Sequence, residues 1–347
     1  MLERLTEEWT DPADATINEE LEFEKQLWMR TALYAMTQDG SESSGSASKP
    51  AASSSEVVKI LSLYEDHGML ISHTYSHGSP TSYLRLSFQS SPSIYFPNHL
   101  PFTNANTSLP HTASLAFHST LHPASSQIHH LSTTPSPSGT TYNLTVPSPK
   151  PHLPYASHLF TAIHASLSVP SLLPGPSLPT LLKECRRVLH ERGRLHLTLL
   201  DPCPVAASTG PRMREWLDSH LLLGLERKFR CVSPCRLVPG WLEEAGFGAE
   251  GVRVTRIRFV AATGRGVEGS CSPLWGRGGK GPAEEETREE LRGVLGRMMW
   301  EECWGGFCAD AVEEGARRWW EDKEVMEECV EMGTAWVILV VEASKEG

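Results

Sequence analysis

One carboxylate of this chain stands where an acid or a base could work. Asp201 follows the apolar stretch RLHLTLL (194–200) and precedes Pro202. In an open α/β sheet the carboxyl ends of the strands face the ligand, so Asp201 could contact a substrate or act as a base. The alternative is a turn residue before the proline. Arg212 and Trp216 follow in a segment that we expect to fold over the same edge, where they contact a substrate or else serve helix surface and core.

Histidine is concentrated in one part of the chain. Twelve of the 15 histidines fall between residues 67 and 183, a span that contains no Asp, Glu or Cys. Their spacing is irregular, so we predict a solvated, low-charge loop region there and no metal site. Cys231 and Cys235 form an isolated CxxxC with no second pair at zinc-site spacing, which also argues against a structural metal.

Charge and composition exclude several classes of protein. The net charge of −11 over 347 residues argues against a generic nucleic-acid binder, which would need a basic face. No apolar run reaches the roughly 18 residues that a membrane-spanning helix needs. The acidic start MLERLTEEW fits neither a signal peptide nor an Arg-rich transit peptide. The eight scattered cysteines suit reduced thiols, so we expect a cytoplasmic or nuclear protein.

Three regions follow one another along the chain. Residues 1–36 are predicted to form a helical arm, because apolar residues recur at helical spacing from residue 17 onward. The polar, small-residue segment 37–55 is predicted to be a flexible linker. We interpret 56–347 as one α/β domain, with 264–333 as a loop and helical insertion before its last strand.

Strand-like and helix-like segments alternate in that domain. Strands are predicted at 56–64, 128–132, 142–146, 159–165, 194–200, 252–262 and 334–343. Helices are predicted at 178–190, 210–230 and 236–245, with two or three more across 284–332. Gly193 is expected to end the first of these helices. The alternation predicts a mostly parallel sheet covered on both faces, in which the last two strands pair as antiparallel neighbours.

Two segments carry a family resemblance. They are 153-LPYASHLFTAIHASLSVPSLL-173 and 181-LLKECRRVLHERGRLHLTLLDP-202. Both resemble the C-terminal half of class I S-adenosylmethionine-dependent methyltransferases, and segments farther along are similar to a fungal, type 11-like branch of that superfamily. The resemblance implies a Rossmann-like three-layer α/β sandwich, with a seven-stranded, mostly parallel sheet and a helical insertion before the last strand. It also implies S-adenosylmethionine as the cofactor.

The resemblance implies a set of cofactor and substrate contacts. The cofactor positions, at the ends of three strands, are Tyr64, Glu65, Asp66, Ser132, Thr133, His164, Ala165 and Ser166. The family holds the ribose with an acidic residue, and Glu65 and Asp66 are the only nearby carboxylates. Its glycine-rich loop is reduced here to one glycine in LYEDHGML (63–70). Trp304 lies in the insertion, where such enzymes often carry a substrate lid, and is expected in a pocket wall or in the core.

Two functions remain open at this stage. The first is S-adenosylmethionine-dependent methyl transfer to a small-molecule or protein substrate. The second is a non-catalytic binding or interaction module that has kept the scaffold and lost the cofactor site. The resemblance favours the enzyme, whereas the missing glycines and carboxylates favour the module.

Overall fold

The computed structural model describes residues 15–39, 58–64, 113–122, 126–133, 142–165, 167–261, 282–308 and 318–345. The predicted loop at 264–283 lies almost entirely outside the described residues, and so does the predicted linker beyond residue 39. The division into arm, linker and domain stays an interpretation.

A single sheet of seven strands organises the described part of the chain. The strands are β1 (Lys59–Leu63), β2 (Gln127–Ser132), β3 (Tyr142–Thr145), β4 (Phe160–Ala165), β5 (Leu189–Leu200), β6 (Val252–Val260) and β7 (Ala335–Ser344). They lie in the order β3-β2-β1-β4-β5-β7-β6. The first five pair in parallel, and β7 runs antiparallel to both β5 and β6. The predicted fold class is confirmed, including the helices that precede the last strand.

Helices connect the strands. They are α1 (Ala15–Asp39), α2 (Ala113–Leu121), α3 (Val169–Leu172), α4 (Leu178–Val188), α5 (Pro211–Leu217), α6 (Leu223–Arg227), α7 (Pro234–Glu244), α8 (Pro282–Trp304) and α9 (Lys323–Met332). A π-helical turn, Asp218–Leu222, joins α5 to α6. Among the helices described, none combines the length and the apolar character that crossing a membrane requires. The sequence reading did not predict α2, and the expectation of loop at 113–121 is therefore wrong.

One face of the sheet is sealed by α4 and α7. The apolar stripe of α4, which includes Leu181 and Cys185, is buried against Leu195 and Leu197 of β5. Burying such a stripe is what stabilises an amphipathic helix on a sheet. Together with Val238 of α7, these side chains form a continuous apolar core.

The opposite face carries a second core rich in tryptophan. Trp300 of α8 and Trp336 of β7 are both buried, and both donate their indole N–H to the carbonyl oxygen of Pro202, at 2.9 and 3.3 Å. Buried indoles usually find such a partner. Trp28 and Met29 of α1 belong to the same core, so the predicted N-terminal arm packs on the domain.

The junction of α4 and β5 differs from the prediction. The helix ends at Val188, β5 begins at Leu189, and the left-handed residue is Arg192, inside the irregular first part of β5, with φ of 63°. Gly193 is nevertheless required, because a Cβ there would lie 2.9 Å from the carbonyl oxygen of His190 and 3.1 Å from that of Phe160. The glycine allows close approach of β4; it does not end the helix.

Candidate functional site

The strand order reverses direction at β1. This strand pairs with β2 on one side and with β4 on the other, so Leu63 is level with both Leu131 and Ala165. In open α/β sheets, ligands bind outside the carboxyl ends of the strands at such a switch point. The described residues at this edge include Tyr64, Ser132 and Ala165, which are among the predicted cofactor contacts.

The strand ends at the switch point are closely packed. Tyr64 adopts a left-handed conformation, with φ of 52°, and its N–H donates to the Leu131 carbonyl at 2.8 Å. Its ring is buried in the core, with the Oη atom accepting from the Lys150 N–H at 3.2 Å. The Ser168 hydroxyl donates to the Tyr64 carbonyl at 3.2 Å. Tyr64, Ser132 and Ala165 are 2%, 6% and 3% exposed.

These residues fit a nucleoside only in part. Ser132 and Thr133 supply hydroxyl groups at the end of β2, and Thr133 is half-buried. No carboxylate stands among the described residues at the ends of β1, β2 and β4. Glu65, Asp66 and Ser166 lie outside the described residues, so their predicted cofactor contacts are untested. If a carboxylate holds the ribose, the sequence leaves that role to Glu65 or Asp66.

A row of polar residues crosses the sheet at one level. Its members, paired strand to strand, are Asn143, His130, Ser62, His164, His196, Glu342 and Arg253. Ser62 lies within 3.2 Å of the Ser114 hydroxyl of α2 and 3.1 Å of His130 Nδ1. Polar groups taken out of water need such partners. The strand pattern alone did not reveal this row.

Above the row, α2 brings two more histidines to His164. His118 and His122 lie one helical turn apart, and the His122 N–H donates to the His118 carbonyl at 3.1 Å. The His122 and His164 Nε2 atoms are 3.2 Å apart, and the His118 and His164 rings have centroids 4.3 Å apart. One ring nitrogen from each of the three lies within 4.8 Å of the other two. Histidines at i and i+4 were the signal that the sequence offered for this cluster.

Burial favours the neutral form of two imidazoles of this cluster, those of His122 and His164. Burial, with the neighbouring histidines adding to it, lowers the pKa of His122 to about 4 and that of His164 well below its ordinary value. Burial also lowers the pKa of His196, against the opposing effect of Glu342. The His196 ring stacks on His164 with centroids 4.6 Å apart and planes 6° apart. A neutral imidazole keeps a lone pair for a proton or a metal ion.

Asp201 has a structural partner. Its Oδ1 atom accepts the Cys235 N–H at 2.9 Å, within the first turn of α7. Ser233, the residue before α7, makes no side-chain cap, so the carboxylate of Asp201 takes its place. Burial raises the pKa of Asp201, and the bond from Cys235 opposes that rise. The geometry agrees with the turn-residue alternative, and a role as base or substrate contact stays a prediction.

The other predicted substrate residues are engaged within the fold. Arg212 forms an ion pair with Glu324, and its N–H donates to Glu328 Oε2 at 2.9 Å. Trp216 is buried and stacks on His220, with centroids 4.9 Å apart. Trp304 is fully buried in the tryptophan-rich core. In this conformation all three serve packing or helix ends, and their contact with a substrate stays a prediction.

A cavity beneath the switch point is too small for a nucleoside. It measures about 20 Å³ and lies between β4, α4 and β5, with Ala165, Val169, Cys185 and Leu197 among its lining residues. That volume is roughly what one water molecule needs, and the apolar walls offer that water no partners. The cavity therefore belongs to the core.

Comparison with known proteins gives similarity of structure alone. No protein-family model matches the chain, and no curated protein matches it. Among solved structures, the chain is similar to phosphoethanolamine N-methyltransferase 2 of Haemonchus contortus in complex with S-adenosyl-L-methionine. The identity is 8% and the TM-score 0.40, over 85% of this chain and 50% of that one.

Two further structures are similar at the same level. A protein of Bacillus halodurans, proposed to be a methyltransferase, shares 11% identity at a TM-score of 0.37, over 85% of this chain and 96% of that one. A protein of Galdieria sulphuraria, proposed to be a sarcosine dimethylglycine methyltransferase, shares 11% identity at a TM-score of 0.39. The match covers 94% of this chain and 87% of that one. At these values the fold assignment rests on the strand order and register of the sheet itself.

Proposed function

We propose that this chain is a class I methyltransferase-like protein that binds S-adenosylmethionine and transfers its methyl group to a small-molecule or protein substrate. The observation that carries the proposal is the switch point at β1, because open α/β sheets bind nucleotide-like ligands there. The resemblance of 153–173 and 181–202 to methyltransferases indicates which ligand. The likeness of segments farther along the chain supports membership of the fungal, type 11-like branch.

This proposal gives the residues next to the switch point a role in holding the ribose. Glu65 and Asp66 follow Tyr64 directly and are the nearest carboxylates in sequence for the two ribose hydroxyls. Ser132 and Thr133 offer neutral hydrogen bonds, which net about 0.5–1.5 kcal/mol each against about 1.5–3 for a charged partner. S-adenosylmethionine, when bound, supplies an electrophilic methyl group. The contribution of the protein is to position the two reactants.

Calorimetry tests the proposal directly. We expect saturable, micromolar binding of S-adenosylmethionine or its demethylated product to the full chain. The double variant Glu65→Gln/Asp66→Asn should weaken it at least tenfold, which corresponds to about 1.4 kcal/mol. A matched control is Glu243→Gln/Glu244→Gln, an exposed adjacent pair at the end of α7, which should bind as the wild type does. The absence of heat at millimolar ligand would refute the proposal.

A second function has its own supporting observation. Tyr64, Ser132 and Ala165 are almost fully buried, and Ser168 hydrogen bonds to the Tyr64 carbonyl across the strand ends. A site closed by its own chain suits a module that keeps the scaffold for binding or interaction without the cofactor. Wild-type protein that is folded by circular dichroism yet binds neither ligand would establish this alternative.

A further inference from the structure

Two histidines beside the sheet, His118 and His122, have no part in the proposed methyl transfer, and they lie against His164, which is one of the predicted cofactor contacts. His118 is buried, His122 and His164 are partly buried, and their ring nitrogens converge within 4.8 Å. Three neighbouring imidazoles can act as ligands of one metal ion, and nitrogen ligands favour transition metals. We propose that His118, His122 and His164 form a binding site for a divalent transition-metal ion, with zinc as the ion that the geometry favours.

Distances support a tetrahedral ion. A zinc–nitrogen bond of about 2.0–2.1 Å and tetrahedral angles place two ligand nitrogens roughly 3.3–3.4 Å apart. The His122 and His164 Nε2 atoms share a hydrogen bond at 3.2 Å, so an ion would replace the shared proton with almost no change in their separation. The ligand atom of His118 lies within 4.8 Å of both, so His118 is the ligand that would have to move toward the ion.

Regular structure fixes the positions of two ligands and restrains the third. His118 lies in α2, and His122 directly follows that helix, with its N–H bonded to the His118 carbonyl, so the two keep the i, i+4 spacing by which helices present two imidazoles to zinc. His164 lies on β4, inside the paired part of the sheet, opposite Ser62 and His196. The flat stacking of His196 on His164 restrains the plane of the ligand ring. Ligands on helices and strands are held more accurately than ligands on loops.

The chemistry of the donors selects among ions. Imidazole nitrogen suits zinc, copper, nickel and iron, whereas magnesium and calcium require oxygen ligands. No carboxylate belongs to the cluster as the structure describes it. The three-histidine set is the one that zinc enzymes combine with an open fourth position. An ion bound here would tie α2 to β4, next to the switch point of the sheet.

The sequence reading predicted no metal site, and the site proposed here runs against that expectation. The irregular spacing of the histidines, in a region predicted to be loop, is the reason for that expectation. The spacing becomes regular for two of them once 113–121 is helical, and the third arrives only through the sheet.

Zinc titration of the tag-free, full-length chain tests the site. After removal of metal with a chelator, we expect one zinc per chain in competition with a chromogenic chelator. His122→Ala should weaken binding by more than ~100-fold, because even partners behind the ligands are worth about 10–100-fold. The control is His190→Ala, a histidine exposed at the start of β5, which should leave the affinity unchanged.

X-ray absorption of the zinc-loaded wild type decides the matter even where His122→Ala does not fold. Three imidazole ligands are the expected result. Absence of one-to-one binding at micromolar zinc, fewer than three imidazoles around the ion, or equal loss in His190→Ala would overturn the assignment. None of these readouts depends on S-adenosylmethionine, so the site can stand or fall apart from the proposed function.

Discussion

The carboxylate of Glu328 occupies the space in which residue 210 would carry a side chain. A Cβ built on Gly210 would overlap the Glu328 Cδ atom. From that position the carboxylate accepts the backbone N–H groups of Arg212 and Met213, each at 2.9 Å, and so caps α5 from α9. The backbone of Gly210, with φ of −77° and ψ of 171°, is open to any residue, so the requirement for glycine is spatial.

We therefore expect Gly210→Ala to destabilise the protein by about 2–4 kcal/mol, because displacing Glu328 removes two charge-assisted hydrogen bonds. Urea unfolding gives the change. Gly240→Ala is the matched control: residue 240 lies inside α7, and a Cβ there meets nothing within 4 Å. That change should stabilise by about 0.5–1 kcal/mol, since alanine is the better helix former. Equal losses for the two variants would contradict the steric explanation.

The buried carboxyl group of Asp201 should make the stability of the protein depend on pH. Burial raises its pKa above the ordinary 3.8, so just above that pH the folded chain keeps a proton that the unfolded chain has lost. Its contribution to stability therefore falls as pH rises through this window. Asp201→Asn keeps an oxygen for the Cys235 N–H and carries no charge. Its stability relative to wild type should rise with pH above 3.8 and level off toward neutrality.

The control for that measurement is Asp201→Ala, which removes the cap as well as the charge. At neutral pH it should cost about 0.5–2 kcal/mol relative to the asparagine variant. Chemical denaturation of the three proteins at several pH values gives both differences. A gap between wild type and Asp201→Asn that stays constant with pH would show that the carboxyl group is not destabilised by burial.

The stacking of His196 on His164 gives a prediction for the proposed zinc site. His196→Phe keeps a flat ring against the ligand, so its zinc affinity should stay within a few-fold of wild type. His196→Ala frees the His164 ring and should weaken zinc binding by about 10-fold or more. His220→Ala serves as control, because that ring stacks on Trp216 in another part of the fold. Equal affinities for His196→Phe and His196→Ala would rule out a positioning role.

Local sequence patterns were sufficient to predict most strands of the sheet. The apolar runs at β4, β5 and β7 and the stripe of α4 carry their own periodicity, so element type follows from the segment itself. The helix α2 carries no such signal. Its sequence ASLAFHSTL has no acidic residue in its first turn and stands in a region rich in proline, serine and threonine, which reads as loop.

Contacts between distant segments could not be read in the same way. Asp201 was recognised as the end of a strand, but its partner Cys235 is identified only when α7 packs against β5. In the same way, His118 and His122 show one turn of spacing in the sequence, whereas His164 joins them only through the pairing of β1 with β4. The composition of both sites therefore depends on tertiary contacts, which the residue types alone do not reveal.

The order of strands also bears on how the chain is made. β7 (Ala335–Ser344) lies between β5 and β6, although both leave the ribosome before it. Since domains fold from the N-terminus during synthesis, the parallel strands β1 to β5 can assemble while β6 still lacks β7, its neighbour in the sheet that the structure describes. Until β7 emerges, β5 and β6 expose unpaired edges, which are sites for association between chains. The nascent protein is therefore most exposed to aggregation while the segment between β6 and β7 is being translated.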